Sequence, residues 1–226
     1  MLDGRWRTEI EQRLAPVGAN LRRAGLTADG ITLMGLAMAV AASVAIGNGA
    51  LRAGVLLLAL TGLPDALDGA VAKASGTAGP RGAFFDSVAD RVSDALLLGG
   101  VAWYLGSEHG GHAPLLPMAV LGAASVISYQ RAKAEALGFQ ARGGLMERAE
   151  RTILLGVGLL FDTLLVPVLW LMLVLTLVTA VQRFAKVWNQ ASAPRPQPVV
   201  LPRWRGRRVA RPTERTWRRR TRDRHR

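Results

Sequence analysis

Apolar runs broken by short polar or glycine-bearing stretches dominate this chain, and the pattern predicts six helices at about residues 30–49, 51–74, 82–105, 114–136, 148–163 and 164–186. Each approaches the roughly 20 residues that a helix needs to cross a hydrocarbon core. The fold expected is all-α: a polytopic membrane protein with six transmembrane helices, the fifth short and amphipathic at its start. Ahead of them, residues 1–25 mix acids and arginines without a continuous apolar core, so no cleavable signal is expected. Trp6, Ile10, Leu14, Val17 and Leu21 fall on one side there, with Arg5, Arg13, Arg22 and Arg23 placed for headgroups, the pattern of an N-terminal interfacial amphipathic helix. From Asn189 onward the chain turns Pro- and then Arg-rich, a composition that cannot bury a core. Three regions result: a juxtamembrane helix over 1–25, a six-helix membrane domain over 26–188, and a disordered basic cytoplasmic tail over 189–226.

Charge sets the orientation. The loops after the first, third and fifth spans carry little Lys or Arg beyond Arg52, whereas the N-terminus, the stretch 75–81, the stretch 131–151 and the tail are basic. Positive charge marks the cytoplasmic side, so both termini are expected there, in the cell membrane. The tail holds most of the net charge of +13, and its expected partner is the anionic inner leaflet rather than nucleic acid. With no cysteine, the chain has neither disulfides nor thiolate metal sites.

Against that apolar background stand five aspartates: Asp65, Asp68, Asp86, Asp90 and Asp94. On a helix the first two share a face at i, i+3, and the other three stack at i, i+4, i+8. An Asp near the centre of a spanning helix costs about 2.5–3.5 kcal/mol to insert, so the cluster demands compensation. Carboxylates are hard oxygen ligands that suit Mg²⁺ or Mn²⁺, and two such ions form a known device for displacement at phosphorus. The structural alternative is ion pairing to Lys73, Arg81 and Arg91, which accounts for one or two acids but not for five on two faces. His109 and His112 lie on the opposite side and lack carboxylate support.

Asp65, Asp68, Gly69, Ala72, Lys73, Gly82, Asp86 and Asp90 together resemble the signature of the CDP-alcohol phosphotransferase family, D-x2-D-G-x2-A-R-x8-G-x3-D-x3-D. All spacers fit, and the one departure is Lys73 in place of Arg. The resemblance implies six spanning helices, a homodimer, and a cytoplasm-facing cavity where a CDP-linked lipid meets a small alcohol. It implies Asp65, Asp68, Asp86 and Asp90 as ligands of two divalent ions, Mg²⁺ or Mn²⁺, with Asp90 also the general base. Gly69, Ala72, Lys73 and Gly82 would border the CDP group. Leu26, Thr27, Asp29 and Thr32 resemble the family's L-T-P-D-x-x-T element at the cytidine pocket, with Ala28 replacing Pro; Thr27 or Asp29 reads equally as a helix N-cap.

Ser128 to Ala136, Gly143 to Arg151 and Val181 to Trp188 are similar to actinobacterial phosphatidylinositol phosphate synthases. That similarity implies Arg131, Arg151 and Arg183 as the clamp for the phosphate of inositol 1-phosphate, the expected acceptor, with CDP-diacylglycerol as donor and CMP as leaving group. Guanidinium forks from three helices suit a phosphate; singly, each arginine also reads as a positive-inside anchor. Glycerol 3-phosphate, giving phosphatidylglycerol phosphate, is the competing acceptor. Other readings are an intramembrane prenyltransferase, whose Asp motifs lie far apart in sequence, a transporter, which would show internal repeats or broken helices, and a degenerate non-catalytic family member, for which Lys73 is the only support.

Overall fold

The computed structural model describes residues 27–62, 79–141 and 143–192. The expected interfacial helix, the residues Asp65, Asp68, Gly69, Ala72 and Lys73, and the basic tail all lie outside the described residues.

Six helices and no strands make up the described residues, in the predicted order: α1 Ala28–Gly47, α2 Leu51–Gly62, α3 Pro80–Glu108, α4 Leu115–Ala136, α5 Arg148–Leu160 and α6 Asp162–Ser192. Thr27 caps α1, its hydroxyl accepting from the Gly30 N–H at 3.1 Å, which decides the choice between Thr27 and Asp29. Pro80 opens α3, where a missing N–H costs nothing. Among the described residues, α1 and α6 are the two helices long and apolar enough to cross a membrane. At 13 residues α5 is about 20 Å long, ending at Leu160 because Phe161 takes an extended backbone before Asp162 starts α6. The fifth predicted segment is thus three residues shorter than expected. At the other end α6 runs through Ser192, beyond the boundary expected at residue 188. The Gln190 amide explains the extension: its Oε1 accepts from the Gln140 N–H at 2.9 Å and its Nε2 donates to the Gln140 carbonyl at 2.7 Å.

Small residues let α1 and α3 pack closely. A Cβ on Gly100 would fall 2.6 Å from the Ser43 carbonyl oxygen, and one on Gly47 would enter the Trp103 ring. Beside them Ala39, Ala42, Ile46, Leu97, Val101 and Leu105 form the buried seam. On α6 the buried stripe Leu165, Leu169, Met172, Thr176, Thr179 and Arg183 steps by three or four, so polar residues continue the apolar face toward one end of the helix. In the most apolar windows of α1 and α6 only 39% and 28% of residues are buried. Leu33, Val40, Trp170 and Val174 therefore point away from the chain, as a lipid-facing helix requires and a soluble core helix would not.

Candidate active site

Helix α3 presents Asp86, Asp90 and Asp94 one turn apart, as the spacing predicts. The last two are largely enclosed, with 18% and 13% of their side chains exposed, and arginines from α5 meet them there. Arg148 Nη1 lies 2.6 Å from Asp90 Oδ1 and its Nε 3.7 Å from Asp94 Oδ1, while Arg151 Nη2 lies 2.8 Å from Asp94 Oδ2. Arg91 reaches Asp90 only at 3.5 Å. Of the expected structural partners, Arg81 instead bridges to Asp29 at 2.8 Å, linking the start of α3 to the start of α1. The principal described cation at Asp90 is therefore Arg148, which sequence spacing alone did not single out; the signal was there in Glu147-Arg148-Ala149-Glu150-Arg151, which puts two arginines at i, i+3 on one face of a helix start.

The segment before α5 is tied down by its polar groups. The Glu150 carboxylate accepts from the Glu147 N–H at 3.1 Å, the Glu147 carboxylate from the Gly143 N–H at 3.2 Å, and Thr179 Oγ1 from the Met146 N–H at 3.0 Å. Gly144 passes so close to Thr179, at φ 149°, that a side chain there would collide with it.

Arg131, Arg151 and Arg183 come from α4, α5 and α6, and Arg131 and Arg151 lie within charge range of Arg183, as do Glu135 and Glu147. Their states differ. Arg131 is half exposed and bonds Glu135 Oε1 at 3.1 Å. Arg151 is buried against Asp94. Arg183, 4% exposed, donates Nη1 to the Ile127 carbonyl at 3.0 Å and Nη2 to the Gly143 carbonyl at 3.1 Å, while its buried Nε has no hydrogen-bond partner among the described residues. Arg183 thus braces α4 and the 143–147 segment as well as carrying charge.

Thr32 is buried at the start of α1 and donates to the Ala28 carbonyl at 3.1 Å, while Asp29 is half exposed and paired to Arg81. A Cβ on Gly82 would meet no described atom within 4 Å. A groove of about 690 Å³ runs between α3 and α4. It follows Ser87, Arg91 and Ala95, each one residue past an aspartate and so about 100° around the helix from the carboxylates.

Among the described residues no group of three metal-ligating side chains converges. Asp86 and Asp90 nonetheless supply hard oxygen donors on one face, the ligand type that a divalent cation takes, and Arg148 balances the charge of Asp90.

A family model described as CDP-alcohol phosphatidyltransferase matches residues 25–188. The chain belongs to the CDP-alcohol phosphatidyltransferase family. Within it, the chain is 38% identical to the archaetidylinositol phosphate synthase of Methanothermobacter thermautotrophicus over 74% of this chain and 86% of that one. It is 35% identical to the phosphatidylinositol phosphate synthase of Mycobacterium tuberculosis over 79% and 87%. Two crystal structures of the M. tuberculosis phosphatidylinositol phosphate synthase share the fold. The one with CDP-DAG bound gives a TM-score of 0.73 at 33% identity over 77% of this chain and 93% of that one. The one in complex with manganese and citrate gives 0.71 at 34% over 77% and 88%. The family match takes in all six helices save the last four residues of α6, and every candidate site residue.

Proposed function

We propose that this chain is a metal-dependent phosphatidyltransferase of phospholipid synthesis, moving the phosphatidyl group of CDP-diacylglycerol to inositol 1-phosphate with release of CMP. The observation that carries the reading is the junction of α3 with α5, where Asp90 of the family signature meets Arg148 and Asp94, one turn on, meets Arg151, an arginine expected at the acceptor phosphate. It is supported by relatives that are inositol phosphate lipid synthases, one of them crystallised with CDP-DAG and with manganese.

In this mechanism Asp65, Asp68, Asp86 and Asp90 would hold two divalent ions, Mg²⁺ or Mn²⁺, which polarise the diphosphate and offset the charge on departing CMP. Asp90 takes the proton of the acceptor hydroxyl as its oxygen attacks the phosphorus bearing the diacylglycerol, and the bond to CMP breaks. Asp29, Thr32, Gly69, Ala72, Lys73 and Gly82 border the CDP group. Lys73 meets phosphate as a point charge where Arg would offer a planar fork. Arg131, Arg151 and Arg183 hold the acceptor phosphate; Arg151 and Arg183 use donors left over from their bonds to Asp94 and to the Ile127 and Gly143 carbonyls.

The helices form a six-span membrane domain with this site and both termini facing the cytoplasm, consistent with the loop charges and the outward apolar faces of α1 and α6. A homodimer, as the family resemblance implies, completes the assembly, and the tail past Ser192 engages anionic lipid. Purified protein given CDP-diacylglycerol and Mn²⁺ should release CMP with inositol 1-phosphate and not with glycerol 3-phosphate or free inositol. Release only with glycerol 3-phosphate would keep the chemistry and replace the acceptor.

A further inference from the structure

Asp94 is the one aspartate of the α3 face that the family signature leaves without a role, yet it is the α3 carboxylate that bonds Arg151. Its Oδ2 accepts from Arg151 Nη2 at 2.8 Å, its Oδ1 lies 3.7 Å from Arg148 Nε, and only 13% of the side chain is exposed. Arg148 in turn spans one helical turn, from Asp94 to Asp90 at 2.6 Å.

We propose that Asp94 is a positioning residue for the acceptor: through Arg151 and Arg148 it fixes the phosphate-binding side of the site in register with the helix carrying Asp86 and Asp90. The inference rests on the functional reading above. A guanidinium has five N–H donors in a rigid fork, and a carboxylate engaging Nη2 fixes its plane while leaving donors for a phosphate. Held this way, the arginine loses little rotamer freedom when the acceptor arrives. The second oxygen faces Arg148, so the same carboxylate couples the acceptor side to Asp90, where the attacking hydroxyl must lie. Register between those two points matters because misplacement of about 1 Å can cost on the order of a hundredfold in rate.

The test is steady-state kinetics of the full-length enzyme with CDP-diacylglycerol, Mn²⁺ and inositol 1-phosphate, comparing wild type with D94N and D94E. Asn keeps the shape and loses the charge; Glu keeps the charge and displaces the fork. In D94N the KM for inositol 1-phosphate should rise about tenfold or more, with the KM for CDP-diacylglycerol unchanged. D94E should recover part of that loss, and its retained charge keeps the comparison usable where D94N folds poorly. An unchanged acceptor KM in both variants, or equal rises in both KM values, would overturn the positioning role while leaving the function standing. Wild-type protein that releases no CMP with inositol 1-phosphate would overturn the functional reading itself, and this inference with it.

Discussion

At the residue scale, the aspartates of α3 were legible because a helix has fixed geometry: acids at i, i+4, i+8 in an apolar stretch must share a face and must find positive charge. Which charge they find was not legible. Arg81 and Arg91 are near Asp86 and Asp90 in sequence, but Arg81 reaches across to Asp29 and the closest described bond at Asp90 comes from Arg148, 58 residues on. Pairing across helices depends on how the helices dock, which no single-helix pattern encodes. Arg183 makes the same point. Read in sequence as a phosphate ligand, it also holds two backbone carbonyls. Arg183→Met should therefore lower stability, by about 1–3 kcal/mol for each carbonyl left unsatisfied, and raise the acceptor KM. Thermal unfolding in detergent and CMP-release kinetics check the two effects separately; loss of acceptor affinity with unchanged stability would contradict the bracing role.

At the element scale, the six segments were predicted in order because apolar periodicity survives where helices are long. Their ends were less legible. The division expected between residues 163 and 164 falls three residues past the end of α5 at Leu160, and the Gln190 bonds to Gln140 that keep α6 helical past residue 188 join residues 50 apart. The contact of α1 with α3 yields a prediction of its own. Gly100→Val should strain that interface by about 1–3 kcal/mol, because its Cβ would fall on the Ser43 backbone rather than on a flexible side chain. Gly82→Val should leave the melting temperature unchanged, having no described neighbour to strike, yet raise the KM for CDP-diacylglycerol. Thermal shift together with donor kinetics separates them; a destabilised Gly82→Val would show that the glycine serves packing instead.

At the scale of the whole molecule, composition reads as a membrane protein with a basic end, and the family match over residues 25–188 leaves the Arg-rich stretch outside the family domain. On our reading catalysis belongs to the helical domain and the tail to the membrane surface. A chain truncated after Ser192 should keep its kcat in neutral detergent micelles and bind vesicles containing phosphatidylserine less tightly, by a margin that shrinks as salt screens the charge. Equal vesicle binding with and without the tail would contradict that division.

Chemistry at the α3 carboxylates is the claim on which the rest depends, and the product itself tests it most directly. Purified protein, CDP-diacylglycerol, inositol 1-phosphate and Mn²⁺ are combined, and the lipid extract is read by mass spectrometry with wild type and Asp90→Asn side by side. The account predicts phosphatidylinositol phosphate from wild type, its loss on chelation of the metal, and a rate lowered by about a hundredfold or more in Asp90→Asn. Phosphatidylinositol phosphate formed equally well by Asp90→Asn, or with the metal chelated, would contradict it.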